Sequence, residues 1–363
     1  MNTMRIATLF SGIGSPEQGA KRVYDNLDLV FACEWDKYAR ESFKANYEIE
    51  DKHFHIDIND MDGTQYNGKV DILIGGSPCQ DFSLAGLRAG VDGQKGILIY
   101  QYIRIIKEVQ PPIFIYENVK GMLSDKKGKT IKEFVEAFRD LGYFCHYEVL
   151  NTKDYGVPQN RERIFLVGFK DKEHYYNFSF TPKVKLEKRL KDILEDNVDE
   201  KYYLSGKMID GFTNHKDKHT EKGTGFIWQP KDINDIANCL RANAALCPTD
   251  NTIKEPILQQ VGTLDIKGND SIKRVYSSNG LSPCLTTMGG GNREPKISEN
   301  FRIRKLTPRE CFRLQDFPED FKFVVSNSQL YKQAGNSISA NVMEMIFKQI
   351  EASRYGNTNG GLF

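Results

Sequence analysis

Long hydrophobic runs are missing from this chain: no stretch approaches the ~18 consecutive apolar residues that a membrane-spanning helix needs. Cysteine is scarce. Seven cysteines are spread thinly over 363 residues, with no CxxC and no Cys/His cluster at zinc spacing. That argues against a disulfide framework and a metal site, and it fits a reduced, cytoplasmic setting. No charge sign dominates either: 50 Lys+Arg stand against 49 Asp+Glu. This excludes an acidic disordered tail and a histone-like polycation, while leaving room for one basic face. No internal repeat is visible. The opening MNTMRIATLF runs straight into a strand pattern, so no signal peptide is expected.

What is present is alternation. Short apolar runs at Ile6–Phe10, Leu29–Cys33, Asp71–Ile74, Ile113–Tyr116, Glu148–Asn151 and Ile164–Gly168 read as strands. Amphipathic stretches at Tyr38–Asn46, Ile99–Glu108 and Thr130–Leu141 read as helices. Strands alternating with helices predict an α/β fold: a doubly wound, mainly parallel sheet covered on both faces. Near Phe180 the pattern fades into polar, Gly- and Asn-rich sequence, with a net charge close to zero over 183–300. It returns at Phe301–Phe317, and a last helix is expected over Ser339–Ala352. The expected division is therefore 1–182 plus 333–363 as the main domain, with 183–332 as a smaller, irregular, strand-rich domain and hinge. The tail GNTNGGLF reads as a frayed end.

Several segments carry chemistry. Phe10-Ser11-Gly12-Ile13-Gly14 follows the first strand, where glycines let a backbone approach a ligand closely. Glu34 ends the second strand, where an acidic side chain bonds ribose hydroxyls. Trp35 beside it offers a face for an adenine, and Asp57 an acceptor for its amino group. The third glycine of a dinucleotide fingerprint is missing, because Ser15-Pro16-Glu17 stands there. This favours a nucleoside without a pyrophosphate over an oxidoreductase cofactor. Gly75-Gly76-Ser77-Pro78-Cys79-Gln80 places a cysteine beyond the carboxyl end of a strand, as a nucleophile would be, with Pro78 fixing the backbone before it. Glu117 of Glu117-Asn118-Val119 would face the same crevice and could protonate a ring nitrogen. Arg161 and Arg163, at alternate positions, could hold a carboxylate, a base carbonyl or a phosphate. Thr307-Pro308-Arg309-Glu310 is a capping box opening a helix, with Cys311 on its apolar side, and Gly335-Asn336-Ser337-Ile338 reads as a turn plus cap.

Taken in order, FSGIG, EW, DI, GGSPCQDFSLAG, ENV, QNRERIF, RKLTPRECFRLQDFP and GNSI resemble the DNA (cytosine-5)-methyltransferases of bacterial restriction-modification systems. The resemblance runs from Phe10 to Ile338. It implies a Rossmann-like fold that uses S-adenosyl-L-methionine, releases S-adenosyl-L-homocysteine and needs no metal. Phe10, Gly12, Ile13, Gly14 and Pro78 would line the cofactor pocket. Glu34 would bind the ribose, Trp35 and Ile58 would sandwich the adenine, Asp57 would hold its amino group, and Asn336 would touch the methionine part. Cys79 would attack a flipped cytosine, Glu117 would bind its N3 edge, and Arg163 would assist at O2 with Arg161 beside it. Asp81–Gly96 would close over that base. DNA contacts would come from Gln80, Ser83, Arg241, Lys267, Asn269, Ser271, Arg274 and Cys284, the last standing where the family usually has Thr. Arg302, Arg304, Lys305 and Arg309 would add to a basic cleft. The implied partner is double-stranded DNA, with or without a cognate endonuclease, for a bacterial or phage-encoded monomer. A tRNA cytosine-5 methyltransferase and a silent DNA-binding relative are the alternatives; the long 183–300 region favours DNA, and an intact Cys79, Glu117 and Arg163 favours activity.

Overall fold

The computed structural model describes residues 3–78, 97–124, 128–222, 228–242, 250–255, 260–263, 274–277, 296–298 and 302–354. Backbone proximity divides the chain into two units. One comprises Met1–Lys188, Arg241–Ala244 and Cys311–Phe363; the other comprises Arg189–Leu240 and Ala245–Glu310.

The first unit is built on β1 (Met4–Leu9), β2 (Leu27–Cys33), β3 (Phe54–His55), β4 (Ile72–Gly75), β5 (Ile113–Val119), β6 (Phe144–Asn151) and β8 (Glu162–Phe169), with the two-residue strand β7 (Gln159–Asn160) just before β8. Its seven-stranded sheet has the order β3-β2-β1-β4-β5-β8-β6. Neighbours from β3 to β5 run parallel, and β8 is antiparallel to both β5 and β6. The mainly parallel, doubly wound sheet expected from the alternation is therefore present. The chain reverses from β1 at the β1–β4 boundary, the place where open α/β sheets hold ligands.

Period-two alternation sorts the strands onto two cores. Ala7, Leu9, Leu73, Phe114, Tyr116 and Leu166 face one side, under α3 (Ile97–Val109) and α4 (Lys129–Asp140). Ile6, Ile72, Ile74, Ile113, Ile115 and Val167 face the other, under α1 (Ser15–Lys21) and the final helix Ala340–Arg354. In α4, Ile131, Phe134, Val135 and Phe138 recur at helical spacing and are all buried. Burying a side chain of this size stabilises by about 1.5–3 kcal/mol. Gly19 lets α1 lie on the final helix, since a Cβ there would sit 2.7 Å from Met343 Cβ and 2.9 Å from the Glu344 backbone nitrogen. Asp36 caps α2 (Lys37–Asn46), accepting from the Tyr38 and Ala39 N–H groups at 2.9 and 3.0 Å.

Several expectations need correction. The first strand stops at Leu9, because Phe10 adopts a left-handed φ of 55° that no strand continues. β6 begins at Phe144, earlier than the pattern indicated; much of it is exposed, which dilutes the apolar signal. Gly335 and Asn336 do not form a turn but end the helix Asn327–Asn336, and Ser337 closes that helix by donating to Gln333 O at 2.8 Å. The chain rejoins the first unit at Cys311 rather than at 333. Asp316 pairs with Arg22, and the Lys322 backbone holds Asn46, so these residues belong with α1 and α2. The tail GNTNGGLF and the segment Asp81–Gly96 lie outside the described residues.

The second unit holds what the fading pattern concealed. It contains α6 (Gly206–Lys222), an antiparallel pair Thr252–Glu255 with Arg302–Lys305, and a three-stranded sheet of Gln260–Thr263, Arg274–Ser277 and Lys296–Ser298. The expected capping box is there: Glu310 accepts from the Thr307 N–H at 2.8 Å, and Thr307 Oγ1 accepts from the Glu310 N–H at 3.2 Å. The same Glu310 carboxylate binds the Arg304 guanidinium at 2.8 and 2.9 Å, with both side chains 0% exposed. Arg304 therefore contributes to no basic surface, contrary to the sequence expectation. Removing one member of such a pair strands a buried charge. Glu310→Ala should lower stability by about 3–5 kcal/mol in urea denaturation, and the double change Arg304→Met with Glu310→Leu should recover most of that loss.

Candidate active site

Two clusters sit at the carboxyl ends of the strands. The first is the turn after β1. Gly12 (φ 57°) and Gly14 (φ 90°) adopt left-handed backbone that favours glycine. Around Gly12 there is open space, with nothing within 4 Å of where a Cβ would lie. Gly14 is instead tightly covered: a Cβ would stand 2.1 Å from the Tyr47 ring, whose hydroxyl donates to Gly14 O at 2.7 Å. The Gly12 N–H donates to Glu34 Oε2 at 2.8 Å, and the Asp36 N–H donates to Glu34 Oε1 at 2.7 Å. Burial raises the Glu34 pKa, and these two N–H donors pull it back. Beside it the Trp35 ring is 71% exposed, an aromatic face open to solvent. Arg40 steadies this corner by donating to Glu34 O at 2.9 Å and Trp35 O at 2.6 Å.

Phe10 packs against the core cluster from this turn, and Ile13 is buried. Asp57 turns its Oδ1 onto Asn59, taking the backbone N–H at 2.9 Å. Ile58 is buried in the same cluster as Phe31, and the exposed hydrophobic on that stretch is Ile56.

The second cluster lies where β4 and β5 end. Glycine is required at 76, because a Cβ there would meet Glu117 O at 2.8 Å and Glu117 Oε2 at 2.9 Å. Glu117 is thus packed directly against the segment that leads into Pro78. Arg163 Nε lies 3.2 Å from Glu117 Oε1, reaching diagonally across the β5–β8 ladder, in which Val119 opposes Arg163 and Glu117 opposes Phe165. Burial pushes the Glu117 carboxyl above its ordinary range, while the Arg163 and Arg161 charges oppose that shift. Asn118, missed in the sequence, anchors the segment: its amide donates to Ser77 O at 3.1 Å and to Tyr116 Oη at 2.8 Å, and Tyr116 Oη also lies 2.7 Å from Ser77 Oγ.

Arg161 has a different duty from Arg163. It is buried, and its Nη2 donates to Gly335 O at 3.2 Å and Ser337 O at 2.8 Å. It therefore grips the two carbonyls that flank the exposed Asn336. The helix carrying Asn336 is tied to the Trp35 corner as well, through Lys332 Nζ to Asp36 Oδ2 at 2.6 Å and Gln333 Nε2 to Tyr38 O at 3.0 Å. Asp36 and Lys332 were not singled out in the sequence; the cap position of Asp36 before an amphipathic stretch was the available signal.

Cys79, Gln80, Ser83, Lys267, Asn269, Ser271 and Cys284 lie outside the described residues, and Arg274 is described only as part of a strand. Arg241 passes directly over Gly335, where a Cβ would come within 2.3 Å of the Arg241 carbonyl carbon. Among the described residues no group of His, Cys, Asp and Glu is arranged to hold a metal ion, and no helix is long and apolar enough to cross a membrane.

Comparison with known proteins agrees with this geometry. The family model for C-5 cytosine-specific DNA methylases matches residues 4–352. Orphan methyltransferase M.Rho11sI of Bacillus phage rho11s is 32% identical, over 96% of this chain and 98% of that protein. Type II methyltransferase M.SsoII of Shigella sonnei is 35% identical, over 95% of this chain and 79% of its own length. The crystal structure of S. pombe Dnmt2 methyltransferase shares the fold with a TM-score of 0.67 at 17% identity, covering 98% of this chain and 99% of that one. A carboxylate held at the end of β2, a second carboxylate packed on the segment before Pro78, and a family match spanning both lead to one conclusion: the chain belongs to the C-5 cytosine-specific DNA methylase family.

Proposed function

We propose that this protein transfers a methyl group from S-adenosyl-L-methionine to carbon 5 of a cytosine in a specific short sequence of double-stranded DNA, through a covalent bond to Cys79. The observation that carries the reading is Glu117, largely buried, paired with Arg163 and pressed onto Gly76 just ahead of Pro78-Cys79.

The turn after β1 fits the cofactor. Gly12 leaves open space where a side chain would stand, Glu34 is fixed with lone pairs still available for ribose hydroxyls, and Trp35 offers an uncovered ring for an adenine. Asp57 accepts from the adenine amino group with Ile58 on its other side, and Asn336 meets the methionine part. Ile13 and Gly14 shape the turn, and Pro78 walls the reacting end. S-adenosyl-L-methionine, when bound there, supplies an electrophilic methyl group on a sulfonium, which an aromatic face such as that of Phe10 favours.

Carbon 5 of cytosine is a weak nucleophile. The Cys79 thiolate adds to carbon 6, and the displaced electron pair moves toward N3. Glu117, whose burial favours the protonated form, gives a proton to N3, so the charge never builds on the ring. Arg163 orients Glu117 and faces the O2 edge. Carbon 5, now part of an enamine, accepts the methyl group. Loss of its proton to a base restores the double bond to carbon 6 and expels the thiolate. A stacked cytosine cannot reach Cys79, so the base is flipped out at a cost of about a few kcal/mol. Gln80, Ser83 and the 183–300 region, including Arg241, Lys267, Asn269, Ser271, Arg274 and Cys284, supply DNA contacts. The protein acts as a cytoplasmic monomer in a restriction-modification setting, with or without a cognate endonuclease; its relatives include both type II and orphan methyltransferases.

Bisulfite sequencing of DNA from a host expressing the protein should find cytosines protected at one short sequence, and Cys79→Ser should lose the protection. Folded protein with no protected cytosine would overturn the proposal. Glu117 must be neutral to donate, so its raised pKa extends activity upward in pH beyond the ordinary carboxylate range, and activity should fall as pH rises through that pKa. Glu117→Gln cannot give up a proton. Its kcat should drop by about 10²–10⁴-fold, and that limb of the pH profile should disappear in single-turnover assays.

A further inference from the structure

Beneath the cofactor turn lies a buried carboxyl that the reaction does not use. Glu17, in α1, is 1% exposed. Its Oε1 is 2.7 Å from Thr8 Oγ1, and its Oε2 is buried with no hydrogen-bond partner. Thr8 Oγ1 is also 2.7 Å from Ser11 Oγ. Ser11 Oγ in turn lies 3.1 Å from Thr8 O and 3.2 Å from Cys33 O and accepts from the Cys33 N–H at 3.0 Å, while the Ser11 N–H donates to Cys33 O at 3.0 Å. The chain Glu17–Thr8–Ser11–Cys33 therefore runs from α1, through the end of β1, to the residue before Glu34.

The Thr8 hydroxyl has one hydrogen and two partners at equal distance, so the proton on Glu17 sets which of the two Thr8 donates to. With Glu17 neutral, its O–H donates to Thr8, Thr8 donates to Ser11, and Ser11 donates to the Thr8 and Cys33 carbonyls. With Glu17 ionised, Thr8 turns to the carboxylate, Ser11 donates back to Thr8 Oγ1, and the two carbonyls lose their hydroxyl donor.

Building on the cofactor reading above, we propose that Glu17 is a proton-linked positioning residue. Its neutral form orders the Phe10–Gly14 turn against Glu34, and ionisation loosens that turn and weakens cofactor binding. Burial pushes the Glu17 carboxyl up to about 7, so the change falls in the working pH range. Several titratable and charged groups surround it. Tyr47, from the end of α2, is buried and kept neutral. Lys21, one turn along α1, sits 4.4 Å from the centre of the Tyr47 ring and favours the ionised form of Glu17. Arg22 is held by Asp316 and Glu344. Arg5, Asp28, Lys44, Glu48, Glu50, His53 and Lys69 line the adjoining groove.

The test is calorimetric binding of S-adenosyl-L-homocysteine, without DNA, across pH. The wild-type Kd should rise about three- to tenfold between about pH 6 and pH 8.5, as expected for one linked proton. Glu17→Gln, whose amide donates to Thr8 as the neutral acid does, should bind as tightly as the wild type at low pH and show no slope. Thr8→Val, which cuts the chain and leaves Glu17 in place, should bind weakly at every pH. A pH-independent wild-type Kd, or the wild-type slope persisting in Glu17→Gln or in Thr8→Val, would overturn the proposal. Absence of binding by the wild type at every pH would overturn the cofactor reading as well, which distinguishes the two failures.

Discussion

Everything at the candidate site depends on how closely β4 and β5 approach each other at their carboxyl ends. Gly76 has no side chain, so the Glu117 carboxylate can pack against its backbone. Asn118 and Tyr116, on either side of Glu117, then fasten Ser77. One short run of β5 therefore delivers an acid and fixes the backbone that leads to Cys79. Arg163 completes the arrangement from the antiparallel β8 and keeps the buried carboxyl from losing all its affinity for charge. A residue larger than glycine at 76 would push Glu117 and the segment that leads to Pro78 apart.

The proposed cofactor corner obeys the same logic, with backbone groups as donors. Glu34 is held by two N–H groups rather than by a cation, so its orientation is set by the turn after β1 and by the cap of α2. Arg161 and Lys332 then draw the helix carrying Asn336 to that corner, one through backbone carbonyls and the other through Asp36. Cations that read as candidate ligand-binders in the sequence are here divided between chemistry and carpentry: Arg163 faces Glu117, whereas Arg161 and Arg304 are buried as structural ties.

Much of this was legible beforehand, for physical reasons. Continuous apolar runs at Ile72–Ile74 and Ile113–Tyr116 announced strands buried on both faces, and the reciprocal box of Thr307 and Glu310 was readable from spacing alone. Glu34, Glu117 and Arg163 stood out as candidates because a charged residue at the end of an apolar strand has few structural reasons to be there, and the structure pairs the last two. Other features depended on long-range partners. Arg161 and Arg163 look alike in sequence, and only the approach of Gly335 and Ser337 separates their roles. Glu17 read merely as the absence of a third glycine, because nothing local says that Thr8 and Ser11 will bury it. The helix Gly206–Lys222 escaped notice because its inward-facing stripe includes His215 and His219 in place of aliphatic residues.

The central claim is a covalent bond between Cys79 and cytosine, directed by Glu117. It is tested most directly with DNA of the recognised sequence carrying 5-fluorocytosine at the target. Fluorine at carbon 5 leaves no proton for the final elimination, so the adduct should persist. Peptide mass spectrometry after incubation with S-adenosyl-L-methionine should find the modified base on the peptide containing Cys79. Methylation of ordinary DNA accompanied by an adduct on another cysteine, or by no adduct at all, would contradict the account.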